Sequence, residues 1–185
     1  MRTRGLTIGV ALVAMLVTGC SASGGAGGSG GAATDAERWD AALAEDADAV
    51  EQVYTAVVPQ VMAASGTTDF GTAGLVYALC GDRGGFDLEK TGVGVEVNAN
   101  LGAAVSEPAR AAALLRDGLA DDGWEVTQEG SPTTVEADRD DVAVRVVIGS
   151  AATQVDVVAA CRETSVDYAR AATGGAPEEL EDPTG

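Results

Sequence analysis

The side chains able to do chemistry in this sequence are few in kind. There is no histidine and a single lysine, Lys90, against 29 carboxylates and three cysteines. Without imidazole the usual general base, the commonest metal ligand and every histidine-dependent triad are missing. Two carboxylates alone can hydrolyse a glycosidic bond, and with 29 acids chance pairs are assured. Glu96, on an expected strand, is the acid expected to be partly shielded. Asp138-Arg139-Asp140-Asp141 carries the oxygens calcium favours, yet lacks the ligand spacing and internal glycine of a calcium loop, so a solvated hairpin turn is expected there. Gly92-Val93-Gly94 has no helix behind it to receive a phosphate and reads as a bulge or a close approach. No catalytic set, metal site or cofactor site is therefore expected.

Cys20 stands in a different setting. Met1 to Arg4 is short and basic, and an apolar run follows through Val17. That run is well short of the roughly 20 residues needed to span a bilayer as a helix. A basic start, a short apolar core and a small residue before the cut form a secretory signal peptide. Within it, Val17-Thr18-Gly19-Cys20 resembles the lipobox of bacterial lipoproteins: an aliphatic residue, a small one, Gly or Ala, then an obligatory Cys. The resemblance covers only the first twenty residues. It implies cleavage after residue 19 and a lipid on the Cys20 sulfur, with acyl chains such as palmitate holding the protein on the outer face of the cell membrane. At ~0.8 kcal/mol per buried methylene, two such chains anchor stably.

With Cys20 taken by lipid, Cys80 and Cys161 remain. Each ends an apolar stretch, and an even pair in an exported chain most simply forms a disulfide. The loop it closes contributes roughly 4–5 kcal/mol in the chain-entropy account. A reactive thiol would need a base or metal beside it, and no histidine exists to serve.

Removing the leader takes Lys plus Arg from 11 to 9 against 29 acids, a net −20. That balance excludes nucleic acid as a partner, because phosphates require basic residues. Ten arginines to one lysine, with Ala, Gly, Val and Asp dominant, is the bias of a GC-rich, actinobacterial coding sequence. The chain has the look of the small actinobacterial lipoproteins of unknown role.

The elements that must position these residues begin after a glycine-rich tether over 20–33, which spans on the order of 20 Å. Thr34 and Glu37 have the spacing of a capping box. Trp39, Leu43, Val50, Tyr54, Val57 and Val61 recur at helical spacing, with Pro59 expected to kink or interrupt the helix and Gly66 to stop it. Apolar or alternating runs over 73–80 and 93–97 predict a hairpin of two strands. Ser106 is the expected cap of a second helix with Pro108 in its first turn and Ala111, Leu114, Leu115 and Leu119 on its stripe. Period-two runs over 124–128, 133–137, 142–148 and 154–161, separated by short turns, predict an antiparallel meander. A brief helix over 165–172 follows, and residues 173–185, with four acids and little to bury, read as a disordered tail.

The order α-β-β-α-β-β-β-β predicts an α+β protein, a two-layer sandwich with helices on one face of a mostly antiparallel sheet, in one domain over 34–172. The expected function is a lipid-anchored extracytoplasmic, non-enzymatic module that binds an envelope protein, polymer or small ligand. A carboxylate-based hydrolase and a purely structural spacer are the alternatives.

Overall fold

The computed structural model describes residues 34–80, 92–102, 105–127 and 130–185. The expected signal peptide, Cys20, the tether and the turn over 81–85 lie outside the described residues. Helix α1 runs Asp35–Ser65, followed by strands β1 (Phe70–Cys80) and β2 (Gly92–Leu101) and helix α2 (Pro108–Asp121). Then come β3 (Glu125–Val126), β4 (Thr134–Arg139), β5 (Val142–Ile148), β6 (Thr153–Ala159), β7 (Arg162–Glu163), α3 (Val166–Ala172) and β8 (Glu178–Leu180). The strands form one antiparallel sheet in the order β3-β4-β5-β6-β2-β1-β8, with β7 pairing the start of β2. This is the α+β sandwich that the alternation of periods predicts.

The expected capping box is present: Thr34 N donates to Glu37 Oε2 at 2.7 Å and Glu37 N donates to Thr34 Oγ1 at 3.2 Å. The helix continues through Pro59 without interruption and stops at Gly66, whose φ of 72° suits a residue without Cβ. Its stripe of Val50, Val57, Val58 and Val61 is fully buried against Val93, Val95 and Val97 of β2 and Val155 and Val157 of β6. Strand β2 is central, and its inward face is apolar throughout: Val93, Val95, Val97, Ala99 and Leu101.

Three expectations need correction. Ser106 does not cap α2; the capping position falls to Glu107, and Pro108 opens the helix without a side-chain cap. Leu114 is exposed rather than on the buried stripe, where Ala112 takes the place. The tail expected over 173–185 is ordered: β8 pairs with Ala73, Gly74 and Leu75 of β1, and the buried Tyr54 hydroxyl donates to the Glu181 carbonyl at 2.8 Å. The acids there are side chains facing solvent. The backbone beneath them satisfies hydrogen bonds at the edge of β1, and composition does not reveal that.

Cys80 and Cys161 form a disulfide with Cα atoms 5.7 Å apart and 81 residues of separation. It ties the end of β1 to the start of β7 across β2, where the partners of Cys80 and Arg162 are Gly92 and Val93. A Cβ on Gly92 would stand 2.5 Å from the Cys161 sulfur and 2.5 Å from the Arg162 carbonyl oxygen, so only glycine leaves the bridge room. The close approach expected at Gly92-Val93-Gly94 is to the disulfide.

Beside the bridge, Arg162 donates to Asp46 through Nε at 2.7 Å and Nη2 at 2.6 Å, a bidentate pair joining β7 to α1. Asp46 is buried while the Arg162 side chain is 41% exposed. The hydrogen bond to Asp46, more than its charge, pushes the guanidinium pKa further up. Removing Asp46 leaves a cation that can still reach water, so Asp46→Ala should cost about 1–3 kcal/mol, less than breaking a fully buried pair. Urea unfolding measures this, and an unchanged midpoint contradicts it.

Burial, and after it the charge of Asp182, pushes the Tyr54 phenol up to about 12. Between its ordinary pKa near 10 and about 12 the folded chain therefore holds a proton that the unfolded chain has lost. The stabilisation is complete below pH 10 and disappears as pH rises through about 12. Tyr54→Phe should be about 1 kcal/mol less stable than wild type at neutral pH, for the lost hydrogen bond. The gap should close and reverse by about pH 11.5. A gap that stays constant across that range removes Tyr54 as the titrating group.

Candidate functional site: the helix-free face of the sheet

The helices cover one face of the sheet. On the other face, register sets the outward side chains of five strands in rows. One row runs Asp138, Ala143, Val158, Glu96, Val76 from β4 to β1. The next runs Glu136, Arg145, Asp156, Asn98, Gly74, and a third Thr134, Val147, Gln154, Asn100, Thr72. The strands that carry these rows alternate because every second residue is needed in the core: Val142, Val144, Val146 and Ile148 of β5 point inward, and Ala143, Arg145 and Val147 point out. Together with Thr127 and Gln154, the members of the first two rows on β4, β5, β6 and β2 line an open groove of about 650 Å³.

The middle row is electrostatically knit. Arg145 Nε lies 3.3 Å from Glu136 Oε1, and Asp156 stands directly opposite Arg145 on β6. Asp156 Oδ1 also accepts from Gln154 Nε2 at 2.9 Å. One cation thus sits between two anions. In the outer row Glu96 is half-buried between two valines, Val76 on β1 and Val158 on β6, and Asp138 lies three strands away on β4. The groove therefore offers carboxylates, an arginine and amide side chains on a floor of small apolar groups. It can bind a polar ligand bearing positive charge.

Glu96, the acid expected from the sequence to be partly shielded, is half-buried on this face. Glu136, Arg145 and Asp156 join it only through register, which pairs residues far apart in the chain. The available signal was the shortness of the separators at 138–141 and 149–150, which forces neighbouring strands to be antiparallel partners. Of the expected turn Asp138-Arg139-Asp140-Asp141, the first two residues end β4, paired with Ala143 and Val142, and Asp140, at φ 53°, and Asp141 make the β4–β5 turn. Arg139 lies over the Trp124 ring at 4.2 Å. Among the described residues no group of three His, Cys, Asp or Glu could hold a metal ion. Cys80 and Cys161 are spent on the bridge, and Cys20 lies outside the described residues. No described helix is long and apolar enough to cross a membrane.

No protein-family model matches the chain, and no curated protein does. Among solved structures it is similar to a DUF4853 family protein from Actinomyces odontolyticus, at 17% identity and a TM-score of 0.40, covering 66% of this chain and 69% of that one. At that TM-score the likeness carries no argument about this chain.

Removing the cation from the middle row leaves Glu136 on β4 and Asp156 on β6, two strands apart, without the charge that stands between them. Arg145→Ala should destabilise the fold by roughly 0.5–1 kcal/mol at low salt, the scale of an exposed ion pair. Most of that should vanish near 1 M salt, where screening acts within about 3 Å. A loss independent of salt would mean that the Arg145 stem packs rather than pairs.

Proposed function

We propose that this chain is a lipid-anchored protein of the outer, extracytoplasmic side of the cell membrane, and that its domain is a non-enzymatic binding module. In this reading Cys20 carries the lipid, the glycine-rich segment over 21–33 is the tether, and the helix-free face of the sheet takes a polar ligand carrying positive charge. The observation that carries the binding reading is the open groove in which Glu96, Glu136, Asp138 and Asp156 surround the single cation Arg145. The location reading is supported by the Val17-Thr18-Gly19-Cys20 sequence after a short apolar core. It is supported too by a disulfide, which persists in an oxidising compartment.

Two measurements test it. Cys20→Ser should abolish processing and lipid attachment, so that the variant no longer fractionates as the mature membrane form. A variant that stays in the membrane and runs as fully processed overturns the anchor. For the groove, a titration of the full chain in detergent with the polyamine spermidine, followed by NMR, should move the resonances of Glu96, Asn98, Asp138 and Asp156. Glu96→Lys should weaken that binding at least tenfold. Shifts scattered over the whole acidic surface would reduce the face to a solvated side of the sheet, as a spacer protein would have. Catalytic turnover of an envelope polysaccharide that is lost in Glu96→Gln would replace the binding module with a carboxylate hydrolase.

A further inference from the structure

A β-sheet must end somewhere, and exposed edges are protected by shortness, charge, proline or a cover. At one end of this sheet the edge is β3, only two residues long. At the other, β8 presents Glu178 and Glu179. Yet β8 covers only Ala73, Gly74 and Leu75 of the 11-residue β1. Pro177, which precedes β8, has no N–H to extend the pairing. The outer edge of Val76-Tyr77-Ala78-Leu79-Cys80 therefore has no partner strand among the described residues, although its inner edge is paired to β2 over its full length. This stretch carries no charge and no proline.

Its side chains are also unusual. Tyr77 is 36% exposed and Leu79 55%; the other large hydrophobic exposed among the described residues, Leu114, is on α2. Tyr77 and Leu79 alternate along one face, the face they share with Val95 and Val93 opposite them on β2. Beside them the Trp39 and Tyr168 rings pack at a 50° tilt with centroids 4.8 Å apart, and the Tyr168 hydroxyl donates to Asp40 at 2.6 Å. The charges that reach Tyr77 are all negative. Burial first, then Glu178 and Asp48, raise its phenol pKa. An unpaired edge, two apolar side chains at period two and a rim of acids occur together.

We propose that the outer edge of β1 at Val76–Cys80 accepts an extended, basic segment of a partner protein as an added strand, its apolar side chains resting on Tyr77 and Leu79 and its lysines or arginines facing Asp48 and Glu178. Strand addition supplies affinity through the backbone, and alternate side chains supply selection. A second copy of this chain does not suit the edge, because pairing it with itself brings Asp48 and Glu178 against their own images on a chain of net charge −18. Charge complementarity selects a cationic partner. The site is distinct from the helix-free groove and stands or falls without it.

The test uses the full chain in detergent and a short synthetic peptide alternating valine and lysine. The peptide should bind in the range of about 10–100 µM and slow hydrogen exchange of the backbone amides over 76–80. Three comparisons should each weaken binding at least tenfold: N-methylation of alternate peptide amides, replacement of the peptide lysines by glutamate, and Leu79→Lys in the protein. Leu79 is exposed, so its replacement leaves the core intact; Asp48→Lys, on the exposed side of α1, provides a second variant. Several outcomes overturn the proposal. An N-methylated peptide that binds equally well removes main-chain pairing. A glutamate peptide that binds as well removes charge selection. Loss of binding in Glu96→Lys with none in Leu79→Lys moves the contact to the groove, and self-association through 76–80 assigns the edge to a second copy. No binding of the valine–lysine peptide leaves the edge without the stated occupant.

Discussion

The bridge between Cys80 and Cys161 is the constraint on which the lower end of this fold is built. It holds the end of β1 and the start of β7 on opposite sides of β2, and it requires a glycine beneath it. That requirement explains why β2, a central strand otherwise rich in valine, begins with Gly92; a Cβ at Gly94 would meet the Cys80 sulfur only at an ordinary 3.7 Å. The bidentate pair between Arg162 and Asp46 then fastens the residue after the second cysteine to the first helix. Covalent bond, ion pair and glycine lie side by side at this end of β2. The tilted pair of Trp39 and Tyr168 rings continues the same seam between α1 and α3.

The sheet divides its labour by face. Inward, the strands carry valine, alanine and leucine against α1 and α2. Outward, the same strands carry acids, amides and one arginine. The whole chain is strongly acidic, but the outer face is not merely a wall of negative charge. Arg145 sits among carboxylates, and valines interrupt the rows. Such a surface combines a hydrated floor with fixed charges whose positions are set by strand register rather than by flexible loops.

Much of the architecture was legible because period and punctuation agreed. Helix α1 announces its start with Thr34 and Glu37 and its end with Gly66. The strand β5 falls on the residues that alternate from Val142 to Ile148. Less legible were features that depend on distant partners. Asp46 lies at a core-facing position of an amphipathic helix, where an acid looks like an error in the stripe until Arg162 is placed against it. The acids of the last thirteen residues suggested disorder, but β8 is held by backbone bonds and by the Tyr54 hydroxyl, neither of which composition encodes. The row Glu136, Arg145, Asp156, Asn98 required register across four strands, which local pattern does not fix. Ser106 was misread because the chain enters α2 one residue later, through Glu107 and Pro108.

The bridge also has a temporal side. Its two sulfurs are 81 positions apart, and α2 together with the strands from β3 to β6 lies between them. For a chain emerging from its N-terminus, the hairpin of β1 and β2 exists well before the strand that borders β2 on its other side. Until β6 arrives, one flank of the central strand is bare and Cys80 has no mate. Contacts of such long sequence separation form late and slowly. In the native arrangement the two thiols are brought together only by a sheet in which the meander has docked on β2, so the bridge fastens a junction that the whole chain has to build.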